Sequence, residues 1–498
     1  MNTKPALVIA APTSGSGKTT VALGLIRALL SRGLTVQPFK AGPDYIDSSY
    51  LGHAADRPSR NLDTWMVAPV TLVELYERAM RSSDIAIIEG VMGLFDGRGG
   101  SEEGSTAHLA KLLKSPVIVV VDIGKVSRSA GAIALGCQQF DPGVNIRGFI
   151  LNRVASENHR RWATESITSA TNLPVVGWLP KRDDIMLPER HLGLIPTTEG
   201  KTNEAFFNLV SEQVQKSFNI DMLIQIAQSN PPNRAGNVYP QSDKIGIYDR
   251  QYDEKTPNRP SQIQADVFPP KPCRPVATIA IAQDEAFSFY YSDNLDLLSE
   301  WGAHLVPFSP IKDAHLPEGT DAIYIGGGFP ELFARELASN STLIEEIRVA
   351  AKLGMPIYGE CGGLMYLSQG IVDLDMNRHL MVGLVPAWST MNGRRLTLGY
   401  RQLAARRNTP LLQKGQSARG HEFHWSVLET PLPSESALYD VIGADGISEG
   451  YSERNIVASY CHLHFGSNPV LAPNFVASAI SWKSPSRSPL TEPLLGGS

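Results

Sequence analysis

Short apolar runs recur along the first half of the chain, separated by stretches of helical periodicity. Residues 6–11, 35–40, 84–89, 116–122, 148–152 and 174–179 are rich in Val and Ile and do not alternate with polar positions. Strands buried on both faces of a parallel sheet read this way. Helical segments over 19–31 and 70–81 fall between them. The pattern predicts an α/β fold with a doubly wound, mostly parallel sheet, whose ligands bind at the C-terminal strand ends.

From about residue 217 to 275 the pattern stops. The stretch NPPNRAGNVYPQSDKIGIYDRQYDEKTPNRPSQIQADVFPPKPCRP is rich in Pro, Asn and Gln and reads as a partly disordered linker. A second α/β region opens with VATIAIAQ at 276. It continues through strand-like runs at 304–308, 322–325 and 356–358, then a mixed region over 381–465. The predicted organisation is a first domain over 1–216, a linker over 217–275, a second domain over 276–480 and a tail over 481–498.

Composition narrows the function classes. A chain of 498 residues is too long for one core. A net charge of −5 gives no reason to expect a nucleic-acid partner. The run 116–123 is too short to span a bilayer, and the N-terminal apolar run lacks the form of a signal peptide. The four cysteines, Cys137, Cys273, Cys361 and Cys461, form no C-x-x-C pair. Reduced thiols and a cytoplasmic protein without a membrane partner are expected.

Candidate chemistry enters at residues 11–20, APTSGSGKTT. A strand precedes them and a helical pattern follows, the setting of a phosphate loop. Gly15, Ser16, Gly17, Lys18, Thr19 and Thr20 form its core as an ATP-binding segment. Gly15 and Gly17 let backbone N–H groups turn inward, Lys18 adds a charge, and Thr19 offers a hydroxyl to Mg²⁺. Pro12 stands where the usual first glycine would be, so the loop is a variant. Mg·ATP also needs acidic partners. Glu89, ending DIAIIEG, and Asp44, in KAGPDYID, lie at C-terminal strand ends.

A second centre lies at 357–367, IYGECGGLMYL. Its G-x-C-x-G has the form of a nucleophile elbow around Cys361, with a helix N-terminus that favours the thiolate. The Gly362 amide is a candidate oxyanion donor, and Gly326-Gly327-Gly328 ends another strand and offers a second at Gly328. In SYCHLHF, His462 and His464 stand at i and i+2, the same side of an extended strand. His462 is the candidate base and His464 the residue that orients it. Cys461 lacks the elbow context and reads as core.

These motifs, together with PFKAGPDYID, RNLDTWM, IIEGVMGLFDG, LPERHLGLIPTTE, IYIGGGFPE and GHEFHWS, resemble the cobyrinic acid a,c-diamide synthase family from about residue 4 to 469. The resemblance implies a dethiobiotin-synthetase-like P-loop half and a class I glutamine amidotransferase half. It implies that Cys361 is the glutamine nucleophile, His462 its base, Glu89 a Mg²⁺ ligand and Asn152, in LNRV, an adenine contact. Lys40, Asp44, Tyr45 and Asp47 would line the phosphate and corrin-carboxylate site, with Glu189, Arg190 and His191 on the surface over the substrate. His464 stands where many class I amidotransferases carry Glu.

The implied substrates are ATP, with Mg²⁺, glutamine and a corrin polycarboxylate amidated through an acyl phosphate; a homodimer is the assembly to test. Three alternatives stay open, one of them a cobyric acid synthase, which amidates the other carboxylates and which LPERHLGL and GHEFHWS resemble less well. The same chemistry suits hydrogenobyrinic acid or a nickel-sirohydrochlorin. A partitioning-type P-loop switch would carry a lysine five residues before Lys18, where Thr13 stands, and would have no use for a glutaminase half.

Overall fold

In a computed structural model of the chain, residues 4–185, 189–190, 193–194, 204–229, 266–391 and 396–483 are described. The chain divides into two compact units, Met1–Asp266 with Tyr291–Asp293, and Val267–Tyr290 with Asn294–Ser498.

The first unit alternates strand and helix: β1 (Ala6–Ala10), α1 (Lys18–Leu30), β2 (Val36–Ala41), α2 (Tyr45–Ala55), β3 (Arg60–Leu62), α3 (Pro69–Met80), β4 (Ile85–Glu89), α4 (Thr106–Leu113), β5 (Val117–Asp122), α5 (Ser129–Phe140), β6 (Ile146–Val154), α6 (Glu157–Thr171) and β7 (Val175–Pro180). A short antiparallel pair follows, β8 (Glu189–Arg190) with β9 (Gly193–Leu194), then α7 (Glu204–Ser217) and α8 (Ile220–Gln228). The seven-stranded sheet runs β3-β2-β4-β1-β5-β6-β7 and is parallel throughout, with Ala6 opposite Ala86 and Val8 opposite Val117. Every residue of β1, β2 and β4 is buried, the physical cause of their non-alternating sequences.

The irregular linker expected from residue 217 is corrected at its start. Asn219 caps α8 by accepting from Met222 N, and the helix buries Ile220, Leu223, Ile226 and Ala227. That apolar stripe is helical in spacing, but the Asn- and Gln-rich sequence beyond it disguised it. The Pro-rich stretch 230–265, and the expected surface residue His191, lie outside the described residues.

The second unit contains β10 (Ala277–Ala282), β11 (Phe287–Phe289), α9 (Ser292–Glu300), β12 (Ala303–Phe308), β13 (Ala322–Ile325), β14 (Gly327–Gly328), α10 (Ala334–Ser339), α11 (Ser341–Lys352), β15 (Ile357–Glu360), α12 (Gly362–Leu367), β16 (Ser368–Val372), β17 (Arg378–Leu380) and β18 (Val385–Thr390). Then come β19 (Thr397–Ala405), β20 (Ser417–His424), β21 (Val427–Leu428), β22 (Ala437–Val441), β23 (Ser448–Glu453), β24 (Ile456–Ser459), β25 (His462–Leu463) and α13 (Leu471–Lys483). Helix α13 carries on to Lys483, past the boundary expected at 481; residues beyond it lie outside the described ones.

Ten strands form one sheet, β12-β10-β13-β15-β24-β23-β22-β19-β20-β25. From β12 to β24 neighbours are parallel; from β24 onward they are antiparallel. Only Tyr460 and Cys461 separate β24, near the centre of this order, from β25 at its edge. Two residues cannot cross five strand spacings on a flat sheet, so the sheet curls and returns its last strand to the middle. Ala280, Ile325, Leu343, Ile347, Leu364 and Leu367 belong to the core of this unit.

Candidate functional site

Two clusters carry the candidate chemistry, one in each unit. In the first unit β1 leads into residues 12–17 and α1 begins at Lys18. Gly15 and Gly17 adopt φ of 72° and 92°, a conformation that costs glycine little and other residues much. The side chains of Thr13 and Ser16 meet at 3.0 Å, and Ser16 Oγ donates to Thr13 O at 2.9 Å, which braces the turn. Lys18 is buried, and its Nζ donates to Met92 O at 2.6 Å. Burial lowers its pKa, and the nearby Lys40 charge lowers it further.

Thr19 Oγ1 donates to Glu89 Oε1 at 2.6 Å. The same carboxylate oxygen lies 3.1 Å from Lys40 Nζ, which also meets Asp47 Oδ2 at 2.5 Å and Gly90 O at 3.3 Å. Burial would depress the Lys40 ammonium, but the Asp47 and Glu89 carboxylates outweigh it and hold that pKa above the ordinary lysine value. Burial pushes Glu89 upward while Lys40 works against that rise. Thus Lys18, Thr19, Lys40, Asp47 and Glu89 come together at the C-terminal edge of β1, β2 and β4.

Asp44 and Tyr45 stand one turn away. Asp44 Oδ1 accepts from Asp47 N at 2.8 Å and caps α2, which Tyr45 opens. Thr20 lies within α1. Asn152, on β6, sits against the phosphate loop. Its Nδ2 donates to Ser16 O at 2.8 Å, and its Oδ1 accepts from Arg153 N at 2.9 Å. A β-carbon on Gly17 would fall 2.1 Å from that Nδ2.

Asn61 was passed over in the sequence although it lies within RNLDTWM. Its Nδ2 donates to Gly42 O and Asp44 O, both at 2.9 Å, and so fixes the turn that delivers Asp44 and Asp47. A polar residue in the middle of a short buried strand was its signal.

In the second unit β15 runs into Cys361, whose φ of 50° and ψ of −101° leave the common regions before α12 begins. This is the strain of an elbow that lifts one side chain clear of its strand. The Cys361 amide donates to Ser459 O at 2.7 Å, and its Sγ lies 4.0 Å from Phe423 O. A β-carbon on Gly362 would lie 3.0 Å from Gly328 N, so the two expected oxyanion glycines are neighbours. The His462 ring packs on the next residue of the same loop. A β-carbon on Gly327 would meet its Cε1 at 2.4 Å and its Nε2 at 3.3 Å. Burial would depress His462, but Cys361 and Glu360 outweigh it and raise its pKa to about 10.

The placement expected for His464 needs correction. The backbone stays extended at His464, with φ of −88° and ψ of 118°, but the side chain's hydrogen bond is not to His462. His464 Nδ1 instead accepts from Gly466 N at 3.1 Å and caps the following turn. The carboxylate on the Nδ1 side of His462 belongs to Glu360, at 3.7 Å. Cys461 is wholly buried, and burial with the nearby Glu449 charge pushes its thiol well above the ordinary range. Among the described residues, no helix is long and apolar enough to cross a membrane.

Comparison with known proteins agrees with these two clusters. Residues 7–195 match the CobQ/CobB/MinD/ParA nucleotide binding domain, and residues 278–470 match the CobB/CobQ-like glutamine amidotransferase domain. A cobyrinate a,c-diamide synthase of Dehalococcoides mccartyi is 44% identical over 477 residues, covering 95% of this chain and 97% of that protein. Those of Priestia megaterium and Listeria monocytogenes are 40% and 41% identical, covering 94% and 93% of this chain and 96% of each relative.

Proposed function

The chain belongs to the cobyrinate a,c-diamide synthase family of glutamine-hydrolysing carbon–nitrogen ligases, and from that premise we propose that it amidates the a and c carboxylates of cobyrinic acid in cobalamin biosynthesis. The observation that carries the reading is the strained Cys361 elbow beside His462, on the same chain as a phosphate loop.

A carboxylate is a poor electrophile. In the proposed sequence its oxygen attacks the γ-phosphorus of ATP, ADP leaves, and an acyl phosphate forms. Lys18 and the loop amides hold the transferring phosphoryl group, and Lys40 with Asp47 and Tyr45 faces the substrate carboxylate. Asn152 steadies the loop while it meets the adenine.

Magnesium suits the residues present. Thr19 and Glu89 bring two hard oxygens together, Glu89 Oε2 is buried with no hydrogen-bond partner among the described residues, and no cluster of three or more His, Cys, Asp or Glu offers a complete protein cage there. A Mg²⁺ ion held by one carboxylate, one hydroxyl and the nucleotide phosphates fits that sparse set, with Asp44 at its margin. When bound, it neutralises phosphate charge.

In the other unit, Cys361 attacks the glutamine carboxamide with the Gly328 and Gly362 amides facing the developing oxyanion, and His462 gives a proton to the departing ammonia. Water then releases glutamate from the thioester. Ammonia attacks the acyl phosphate, phosphate leaves, and the amide results. Free thiols, including the exposed Cys273, suit the cytoplasm.

The test is a product assay with glutamine, Mg·ATP and cobyrinic acid. The reading predicts a monoamide and then a diamide, with one ADP and one glutamate per amide. No amidation of cobyrinic acid, with turnover on hydrogenobyrinic acid or nickel-sirohydrochlorin instead, would transfer the same chemistry to that tetrapyrrole.

A further inference from the structure

The residue before the nucleophile is a carboxylate with no solvent exposure. Tyr324 OH donates to Glu360 Oε2 at 3.0 Å, and Leu463 N donates to Oε1 at 3.1 Å. Tyr358 OH also donates to Oε1. Three donors from three segments leave this side chain one orientation. In that orientation Oε2 looks at His462 Nδ1 across 3.7 Å.

The Cε1–Nε2 side of the same ring lies on Gly327 in the oxyanion loop. The imidazole is therefore held between a carboxylate and the reaction centre, one nitrogen toward each.

We infer that Glu360 is a positioning residue for glutamine hydrolysis: its carboxylate receives Nδ1–H of His462, fixes the ring's tautomer and steadies the imidazolium, from the nucleophile's own strand. This rests on the reading of Cys361 and His462 as the glutaminase pair. The 3.7 Å separation is an ion-pair distance, and such contacts commonly tighten when substrate is bound. A carboxylate two residues after the histidine would reach the ring from the histidine's own strand. Here that route is closed, because the chain turns at His464 to cap the next turn.

Other groups face His462 and bear on its charge. From β20 these are His421, His424 and Glu422. Burial, with the His462 charge also lowering both, depresses His421 to about 3 and, against a hydrogen bond to Ser426 O, His424 to about 4, so both are neutral near pH 7. Glu422 is paired with Arg401 of β19 at 2.8 Å. Cys361 lies on the reaction side. Glu360 is the carboxylate within 4 Å of the ring among the described ion pairs.

The experiment measures glutaminase activity of the full chain from about pH 6 to about pH 10. Glu360→Gln keeps the shape and removes the charge. Its kcat should fall about 100-fold, and the alkaline limb of kcat/KM should move at least about one unit toward acid, because a less stabilised imidazolium loses its proton earlier. Glu360→Asp should restore part of the limb position.

A folded Glu360→Gln, judged by circular dichroism, whose alkaline limb superimposes on the parent's would overturn the inference, whatever its kcat. If Glu360→Gln does not fold, Tyr324→Phe replaces it. That change frees Oε2 of one donor and keeps the charge, so the limb should move toward alkali; an unmoved limb overturns the inference equally. Cys361→Ala separates the two levels. Glutaminase activity surviving in Cys361→Ala would sink the underlying pair, independently of what Glu360 does.

Discussion

The ring of His462 rests on the bare α-carbon of Gly327, with room for no side chain between them: a β-carbon there would lie 2.4 Å from Cε1. Real contacts of that kind do not occur, so Gly327→Ala must push the imidazole off its place. Misplacing a catalytic group by about 1 Å costs on the order of 100-fold. Glutaminase kcat in Gly327→Ala should fall by about that factor, while synthesis from added ammonia continues near the parental rate. Equal loss of both would mean that the glycine serves the fold rather than the ring.

Cys361 and Cys461 are a matched internal control. Cys361→Ala and His462→Ala should abolish glutamine-dependent synthesis and leave ammonia-dependent synthesis, the histidine variant being somewhat leakier. Cys461→Ala removes a thiol held in its neutral form by burial, and should stay within about threefold of the parent in both assays. Measuring glutamate release and amide formation side by side decides it. Inactivation by Cys461→Ala alone would move the nucleophile to the other strand.

At the phosphate loop the expected pattern differs, because no supply of ammonia can replace carboxylate activation. Lys18→Ala should fail with either nitrogen source. Glu89→Gln should lower activity strongly and raise the Mg²⁺ concentration needed for half-maximal rate. Unchanged Mg²⁺ dependence would reduce Glu89 to the partner of Thr19 and Lys40 in a structural network.

Glu449 allows a test by stability. Burial, then the nearby Glu422 charge, raises its pKa to about 7, although Ser459 Oγ and Tyr460 N each donate to it at 2.7 Å. A carboxyl raised in the folded state binds its proton more tightly there than when unfolded. Its contribution to stability is therefore largest at acid pH and falls as pH climbs from the ordinary Glu value, about 4.3, to about 7. Glu449→Gln keeps an acceptor for Tyr460 N, turns its amide N–H toward Ser459 Oγ, and deletes that dependence. The melting temperature of the variant minus that of the parent should grow between about pH 5 and about pH 8, by the equivalent of roughly 3 kcal/mol. A gap that stays flat across this range would contradict the shift.

The legible parts of the molecule were those written locally. An apolar strand, a glycine pair and Lys-Thr announced the phosphate loop, and two glycines around a cysteine announced the elbow. Both are short-range requirements of backbone geometry. Glu360 was not legible, because its importance comes from facing Tyr324 and Leu463, 36 and 103 positions away, as well as its near neighbour Tyr358. His464 was misplaced for a related reason. The two-residue rule says nothing of the Gly466 amide, which donates to the His464 Nδ1. Helix α8 was lost to its polar neighbourhood, although Asn219 and the spacing of Ile220, Leu223 and Ala227 were there to be read. The antiparallel half of the ten-stranded sheet gave only mixed signals, since its strands are partly exposed and of unequal length.

The curl of that sheet also sets a sequence of events during synthesis. Leu463, next to the base, lies 103 positions beyond Glu360, next to the nucleophile. At about 5–20 residues per second, a growing chain carries its cysteine for several seconds before the histidine exists. Even then the ring reaches the elbow only when the last strand has swung back from the far edge. With Cys361 and His462 in the proposed roles, a half-made chain that still lacks β25 carries the thiol without its base.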